Sequence, residues 1–337
     1  MLRFDRWVDQ ALYGPDGFYA TTGRAGGADG DFLTSVEAGS LFAEVLAGKL
    51  DDWWHELGEP DPFVVVEAGA GVGTLCRNLW AAVGDCRVAL RYVMVERSDR
   101  QREQAFVEVV AEAFSDGAEV PLAALVDLPA GPLTGVVLAN ELLDNIACRV
   151  LERGDGGWSE LHIDGDVEVL VPADEAIARM AQSLAPATAS GSRIPIQLGG
   201  AVWVKRALRL LDHGRLMVFD YGASTATLAE RRWTDWARTY RNHRRGTAVL
   251  ADVGLQDITF DVAVDQLPDS PELATQADWL RSAGIEDLVG AAQASWEQGR
   301  SAPTSTTLAA RVRLDEAAAL LDPAALGGFF VATWTVP

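Results

Sequence analysis

Residues 63–75 read Phe-Val-Val-Val-Glu-Ala-Gly-Ala-Gly-Val-Gly-Thr-Leu, so a carboxylate precedes three glycines at alternate positions. The β-branched run predicts a buried strand that ends near Glu67. Gly69, Gly71 and Gly73 let the backbone come close to a ligand, because glycine has no Cβ and tolerates positive φ. A strand, a glycine turn and a helix N-terminus in succession are typical of α/β proteins that hold an adenosine-bearing ligand at the carboxyl end of a sheet.

The spacing of the glycines distinguishes between ligands. A dinucleotide site reads G-x-G-x-x-G and places a pyrophosphate on the helix N-terminus, whereas this loop reads G-x-G-x-G with Glu67 two residues before it. A carboxylate there favours an ammonium group and repels a pyrophosphate. The pattern resembles motif I of the S-adenosylmethionine-dependent methyltransferases, which implies S-adenosyl-L-methionine as cofactor, bound by Glu67, Gly69, Gly71 and Gly73. The alternative is a glycine-rich turn in an ordinary α/β domain.

A second acid follows the next apolar run. Residues 90–95 predict a strand, and Glu96 comes 23 residues after Gly73, close to the offset of roughly 20 at which nucleotide-binding folds place a carboxylate on ribose hydroxyls. A carboxylate can accept both vicinal hydroxyl hydrogens in charge-assisted bonds. We therefore predict that Glu96 binds the cofactor ribose; the alternative is that it caps a helix expected over residues 98–114.

A third polar group follows the apolar run 135–139. Asn140, Glu141 and Asp144 come directly after it, with Glu141 and Asp144 about one helical turn apart. Because parallel strands present their carboxyl ends at one edge of a sheet, we expect these side chains near the glycine loop and Glu96. Each also has a structural alternative, since Asn140 and Asp144 are good helix-capping residues and Glu141 could complement a helix dipole.

Alternating strands and helices through residues 60–145 predict an α/β fold with a doubly wound, mostly parallel sheet. We expect residues 1–60 to form an N-terminal helical cap and substrate-side segment, and residues 61–146 to form the cofactor-binding core. Gly-Asp turns between short β-type runs predict that residues 147–195 form an inserted β-meander and loop. Residues 196–337 would complete the core with helical additions. Within these parts, the pattern predicts a helix over residues 38–57, a short strand near residues 118–121 and a strand over residues 215–221.

Composition indicates a globular enzyme of 337 residues, 49% of them hydrophobic. The three cysteines and four histidines show no metal-ligand spacing, so we expect no metal site. There is no run of eighteen apolar residues, and we expect no secretory signal, no membrane span and a cytoplasmic location. The net charge of −21 disfavours nucleic acid as a partner. The basic segment 231–245 could contact an acidic partner, but pairing with the protein's own acidic surface is the favoured interpretation.

Longer motifs resemble the MidA-like family of methyltransferases, relatives of the mitochondrial complex I assembly factor that methylates an arginine. The resemblance covers nearly the whole chain. The matching stretches are Ala11-Leu12-Tyr13-Gly14-Pro15, Gly17-Phe18-Tyr19, Gly30-Asp31-Phe32-Leu33-Thr34-Ser35-Val36-Glu37, the glycine loop, Leu138-Ala139-Asn140-Glu141-Leu142-Leu143-Asp144, Asp220-Tyr221-Gly222, Tyr240-Arg241-Asn242-His243-Arg244, Asp257-Ile258-Thr259, Thr275-Gln276 and Leu326-Gly327-Gly328-Phe329-Phe330.

The resemblance implies a Rossmann-like class I methyltransferase fold and a site around the strand ends. Glu141 and Asp144 would then face the acceptor as catalytic residues, and Asn140 would orient the acceptor and bind the cofactor. Thr34, Ser35 and Glu37 would lie on the substrate side.

The chain departs from the family pattern at several positions, which are Ala70, Val72, Val36 and the stretch Asn145-Ile146-Ala147. Because these positions cluster on the acceptor side, the sequence does not identify the acceptor, and three classes of function stay open. The first is methylation of a protein, on arginine. The second is O- or N-methylation of a small molecule, and the third is a non-catalytic assembly factor that retains the fold. Homo-oligomerisation is also left open.

Overall fold

The computed structural model describes residues 1–21, 34–113, 121–241, 244–246 and 248–337. At its centre is a seven-stranded sheet. Its strands, in order across the sheet, are β16 (Glu272–Thr275), β17 (Phe330–Val336), β10 (Leu211–Asp220), β5 (Leu133–Asn140), β2 (Phe63–Ala68), β3 (Leu90–Val95) and β4 (Leu122–Leu125). The five strands from β10 to β4 are parallel, and β17 runs antiparallel to both of its neighbours.

This strand order creates a switch point beside β2. The chain passes from β2 to β3 and β4 on one side and then returns to β5 on the other. Open α/β sheets bind ligands in the crevice that such a reversal opens at the carboxyl ends of the strands. The glycine loop follows β2 and Asn140 ends β5, so both border this crevice.

A second sheet is antiparallel. It contains β1 (Leu2–Arg3), β6 (Arg149–Gly154), β7 (Gly157–Asp164), β8 (Val167–Pro172) and β9 (Arg193–Ile196). A smaller antiparallel sheet consists of β12 (Ala237–Arg241), β13 (Arg244–Arg245) and β14 (Asp257–Phe260), and β11 (Gly222–Ala223) pairs with β15 (Val262–Ala263). The β1 strand joins the very N-terminus to residues 162–163 of the inserted region.

The helices pack against one another and against the sheets. They are α1 (Phe4–Tyr13), α2 (Phe18–Thr21), α3 (Leu41–Glu56), α4 (Thr74–Ala82), α5 (Asp99–Ala113), α6 (Glu175–Leu184), α7 (Leu198–Leu210), α8 (Thr225–Ala229), α9 (Trp233–Trp236), α10 (Gln276–Ser282), α11 (Ile285–Gly299) and α12 (Ser305–Leu321). None of the helices in the described part of the chain has the length and apolar character needed to cross a membrane.

Burial on both faces of the sheet explains the continuous apolar runs in its strands. In β5, Val136 and Leu138 belong to the core on one face, whereas Val137 and Ala139 belong to the core on the other. Parallel sheets covered by helices on both sides require this composition. Each fully buried Val or Leu contributes about 1.5–3 kcal/mol, so the strands that carry the site are rigidly anchored.

The α/β prediction and the mostly parallel central sheet are confirmed, and single elements shift by a few residues. The helix predicted over residues 38–57 is α3, and the strand predicted from residue 215 begins at Leu211. The strand predicted near residues 118–121 falls almost entirely on residues that the structure does not describe, and the observed β4 occupies Leu122–Leu125, where Leu122 pairs with Tyr92 of β3. Residues 118–120, the motif part 30–33 and residues 242–243 lie outside the described residues.

Candidate active site

The loop after β2 requires its glycines. Gly69, Gly71 and Gly73 have φ angles of 75°, 54° and 81°, all in the left-handed region that favours glycine. A Cβ on Gly73 would lie 2.9 Å from Val109 Cγ2, and one on Gly69 would lie 3.1 Å from Leu142 Cδ1. The loop therefore turns tightly against its surroundings and exposes backbone towards the crevice.

Glu96 holds this loop in place. Its Oε2 accepts a hydrogen bond from the Gly71 N–H at 3.0 Å, and its Oε1 accepts one from the Ser98 N–H at 2.7 Å. Burial raises the pKa of this carboxyl group, and the two backbone N–H groups oppose the rise. The side chain that caps α5 is that of Ser98, whose Oγ accepts from the Gln101 N–H at 3.4 Å. Glu96 lines a cavity, so its remaining lone pairs are available to a ligand.

Glu67, at the end of β2, is buried beneath the loop. The Tyr92 hydroxyl donates a 2.7 Å hydrogen bond to its Oε2. Burial raises the pKa of Glu67 to about 8, and the nearby Glu96 adds to the rise. A cation close to Glu67 would lower this pKa, because an opposite charge favours the ionised form.

A cavity of about 610 Å³ extends from the glycine loop past Glu96 to the end of β4; we call it the glycine-loop cavity. Its lining residues are Asp9, Tyr13, Tyr19, Ala68, Gly69, Gly71, Val95, Glu96, Arg97, Gln101, Val126, Asp127, Glu141, Leu142, Asn145, Ile146, Ala147, Gly199, Val202, Trp203 and Arg206. Carboxylates at Glu96 and Asp127 offer acceptors to hydroxyl and amino groups. The volume fits a nucleoside-sized ligand.

Helices α1 and α2 are held beside this cavity by contacts with two residues that follow β3. The Ser98 hydroxyl donates to the Tyr19 carbonyl at 3.0 Å. Arg97 pairs with Asp9 at 2.7 Å, and its Cζ lies 4.1 Å from the centroid of the Tyr13 ring. The residues after β3 therefore hold both the glycine loop and the cover of the cavity.

Glu141 follows β5 in an unusual backbone conformation. Its φ is +49°, which is uncommon for a residue with a side chain, and its N–H donates to the Phe219 carbonyl at 2.8 Å. Its Oε1 accepts from Asn140 Nδ2 at 3.2 Å and from the Ser35 N–H at 3.3 Å. Burial, followed by the nearby Asp144, raises the pKa of Glu141 to about 8. Asn140 Oδ1 is buried and has no hydrogen-bond partner among the described residues.

Glu141 also borders a second cavity of about 380 Å³, which we call the Tyr221 cavity. Its lining residues are Glu141, Tyr221, Gly222, Arg238, Tyr240, Thr259, Asp261, Pro323, Ala324, Ala325, Gly328 and Phe329. A smaller third cavity, of about 80 Å³, brings Glu141 together with Thr34, Glu37 and Glu67. The residue Glu141 therefore borders all three cavities.

Asp144 lies behind the wall of the Tyr221 cavity and is not among the described residues that line it. The Tyr221 hydroxyl donates to Asp144 Oδ2, and the Asp144 N–H donates to Asp220 Oδ2 at 3.2 Å. Burial raises the pKa of Asp144 to about 6, and the hydrogen bond from Tyr221 opposes the rise. Asp144 is placed to position Tyr221.

Thr34, Ser35 and Glu37, which were predicted to lie on the substrate side, do not all face the same cavity. Thr34 and Glu37 line the third cavity, and burial raises the pKa of Glu37 to about 7. Ser35 is fully buried, and its hydroxyl donates to Gln276 Oε1 at 2.8 Å, so this side chain points into the core. Only the backbone of Ser35 contacts the site, through Glu141.

Sequence reasoning did not single out several residues that line these cavities. Tyr13, Tyr19 and Tyr221 all fall within the quoted motifs, so aromatic residues inside the motifs were an available signal. Asp127 comes two residues after β4 and was missed because that strand was placed too early. Arg238 was noted only as part of the basic segment 231–245, and not as a site residue. Among the described residues there is no group of three or more His, Cys, Asp or Glu side chains arranged to hold a metal.

Comparison with known proteins gives a family and two kinds of relatives. Residues 45–283 match the model of a family described as "Putative S-adenosyl-L-methionine-dependent methyltransferase". The "Protein arginine methyltransferase NDUFAF7 homolog, mitochondrial" of Drosophila melanogaster is 27% identical over 76% of this chain and 63% of its own length. The human protein arginine methyltransferase NDUFAF7 is 26% identical over 70% of this chain and 58% of its own. The chain thus spans less than two thirds of the length of each of these relatives.

A crystal structure from Burkholderia thailandensis, bound to S-adenosyl-homocysteine, has a TM-score of 0.80 at 24% identity. The alignment covers 99% of this chain and 87% of that one, which shows a shared fold. The named relatives are mitochondrial proteins, and this contradicts the cytoplasmic location expected from the sequence.

Proposed function

Because the chain belongs to this family of S-adenosyl-L-methionine-dependent methyltransferases, we propose that it methylates an arginine side chain of a partner protein. The observation that carries the proposal is the position of Glu141, which borders both the glycine-loop cavity and the Tyr221 cavity. A carboxylate can hold a planar guanidinium in a charge-assisted contact. Glu141 would thus hold an acceptor arginine where the two cavities meet.

The residues around the glycine-loop cavity and the third cavity fit S-adenosyl-L-methionine, whose sulfonium supplies an electrophilic methyl group when it is bound. Gly69, Gly71 and Gly73 would let the backbone approach the ligand, and Glu96 would accept the ribose hydroxyl hydrogens. Glu67 suits the ammonium group of the cofactor. Asn140 would complete the set, because its buried Oδ1 lacks a partner among the described residues. The fold is that of a class I, Rossmann-like methyltransferase, in our interpretation.

On the acceptor side, this chain's residues have separable tasks. Methyl transfer is an in-line displacement, so the protein mainly supplies proximity and alignment. The acceptor nitrogen must lose a proton as it gains a methyl group, and Glu141 is the ionisable side chain placed to take it. A bound guanidinium would lower the pKa of Glu141 and prepare the carboxylate for that task. Asn140 would hold Glu141 through Nδ2, and Asp144 would act as a positioning residue behind Tyr221.

We also propose a division of labour along the chain. Residues 1–60 would cover the site, since Asp9, Tyr13 and Tyr19 line the glycine-loop cavity. Residues 61–146 would bind the cofactor, residues 147–195 would form the inserted region, and residues 196–337 would complete the core and the acceptor side.

The relatives named as protein arginine methyltransferases support a protein acceptor for this chain. A small-molecule acceptor is the second candidate, because a cavity of about 380 Å³ lies in the range of metabolite sites. The two candidates predict different products, so product analysis separates them.

The test is to incubate the protein with methyl-labelled S-adenosyl-L-methionine and cell extract and to locate the label by mass spectrometry. We expect labelled arginine in one or a few proteins, lost with Glu141→Gln and kept with Glu103→Gln, a matched change on the exposed face of α5. Label on a metabolite hydroxyl, unaffected by Glu141→Gln, would replace the arginine proposal with the small-molecule one.

A further inference from the structure

One wall of the Tyr221 cavity is a face of the small β12–β14 sheet. Arg238 in β12 lies directly opposite Thr259 in β14 in the antiparallel register, and both residues line the cavity. Directly opposite residues have side chains on the same face of a sheet. Thr259 is 1% exposed, so its hydroxyl belongs to the interior of the wall.

Both side chains have a buried polar atom without a partner. Arg238 Nε and the Thr259 hydroxyl oxygen form no hydrogen bond within the described part of the chain. The rest of the guanidinium is engaged, because Nη2 lies 2.6 Å from Asp261 Oδ1 and Nη1 donates to the Asp235 carbonyl at 3.3 Å. Buried donors without partners are rare and costly. Two residues of one cavity wall that each hold such a donor indicate a ligand group with acceptor oxygens that reaches into this wall.

This wall contains a cation, which is the kind of group that such a ligand needs. Asp261 lies between two arginines, 2.6 Å from Arg238 and 3.1 Å from Arg231. One carboxylate is thus shared by two guanidinium groups, and Arg238 is the one cation among the described residues that line the cavity. Glu141, on the other side of the cavity, is acidic. An acceptor that fills the cavity would therefore carry a cation towards Glu141 and an anion towards Arg238.

We propose that Arg238 and Thr259 form a subsite for a carboxylate on the acceptor, supplied by an Asp or Glu side chain close in sequence to the methylated arginine. The inference rests on the proposed function, because it takes the Tyr221 cavity to receive the acceptor. The Tyr221 ring, 4.7 Å from Arg238 Cζ, holds the guanidinium plane in place. The Nε–H of Arg238 and the hydroxyl of Thr259 donate to the two carboxylate oxygens.

The test uses synthetic peptides with one arginine and a single Glu at each of three positions before or after it, each paired with the same peptide carrying Gln. Affinity is measured by calorimetry with S-adenosylhomocysteine present, and methyl transfer is measured separately by mass spectrometry. At one position we expect the Glu peptide to bind about tenfold more tightly than its Gln partner, as one charge-assisted contact allows.

A matched pair of variants tests whether the subsite is responsible. Thr259→Val removes the hydroxyl of the proposed subsite and should reduce the Glu preference severalfold. Thr239→Val is the control, because Thr239 is also buried in β12 and also has a hydroxyl without a partner within the described residues, but it is not among the lining residues. Arg238→Lys keeps the charge but lacks Nε–H, and should also reduce the preference.

The outcomes separate the two proposals. Methyl transfer to the peptides with no Glu preference at any position would overturn the subsite and leave the proposed function standing. A Glu preference that Thr259→Val reduces, without methyl transfer to any peptide, would support the subsite and count against arginine as the acceptor. Absence of binding by every peptide, or an equal loss in Thr239→Val, would overturn the subsite.

Discussion

Glu67 is a buried acid beneath the glycine loop. It is 5% exposed, and burial raises its pKa to about 8 from an ordinary value near 4.5. Between these two values the unfolded chain is ionised at this residue while the folded chain still holds the proton. Folding therefore binds a proton, and the contribution of Glu67 to stability falls as the pH rises through this window.

We predict that Glu67→Gln removes this pH dependence. The free energy of unfolding of the wild type, relative to Glu67→Gln, should fall by a few kcal/mol between about pH 5 and pH 8. Denaturant unfolding at several pH values, without cofactor, measures it. Glu103→Gln, an exposed change of the same kind, should track the wild type. The prediction is contradicted if the free energy of unfolding of the wild type, relative to Glu67→Gln, stays constant or rises with pH.

Glu141 gives the second residue-scale prediction. Glu141→Gln keeps the shape and the Asn140 contact but removes the charge that would hold a guanidinium. Transfer to an arginine acceptor should fall by about a hundredfold, the effect of a few kcal/mol at the reacting centre. Cofactor affinity, measured by calorimetry, should stay within about twofold of the wild type. Equal losses of transfer and cofactor affinity would instead place Glu141 in the cofactor site.

At the scale of residues, the sequence predicted which polar residues lie near one another, but not which hydrogen bonds they form. Strand ends in a parallel sheet share one edge, so Glu96 and Glu141 could be placed near the glycine loop from pattern alone. The bonds from Tyr92 to Glu67 and from Tyr221 to Asp144 join separate strands or loops. Such contacts depend on the three-dimensional packing, which periodicity does not encode.

At the scale of elements, the N-terminal helices form the cover of the site. Helix α1 supplies Asp9 and Tyr13 to the cavity wall, and α2 supplies Tyr19. The sequence predicted the helical character of this segment from its apolar spacing. It did not predict that β1 pairs with β7, about 160 residues away, because long-range strand pairing leaves no local pattern. That pairing anchors the cover to the inserted sheet.

A cover of this kind predicts protection on ligand binding. S-adenosylhomocysteine should slow hydrogen exchange across α1 and α2 by about tenfold or more at saturation, because ligand binding opposes local opening. Mass-spectrometric exchange with and without the ligand measures it. Helix α11, none of whose described residues lines either cavity, is the internal control. Protection limited to the glycine loop would mean that the helices do not close over the ligand.

At the scale of the whole molecule, 49 acidic residues outnumber 28 basic ones. The basic segment 231–245 pairs largely with the protein's own carboxylates, as favoured from the sequence. Asp261 serves Arg231 and Arg238, and Asp235 lies 3.4 Å from Arg232 and 3.7 Å from Arg245. The segment therefore does not offset the acidic field, which reaches beyond the surface and attracts cationic partners.

This acidic field should make the association rate of a basic acceptor depend on salt. The association rate of an arginine peptide with a net charge of about +3 should fall by about tenfold as salt rises from roughly 20 to 200 mM, because the Debye length shortens and attraction at a distance is lost. Stopped-flow fluorescence measures the rate. A peptide of the same length with zero net charge, which keeps its arginine and its neighbouring Glu, should show little salt dependence. Such a peptide still engages Glu141 and the Arg238 subsite, so it separates long-range attraction from local recognition. Equal salt dependence for the two peptides would mean that contacts at the site, rather than the −21 charge of the molecule, control association.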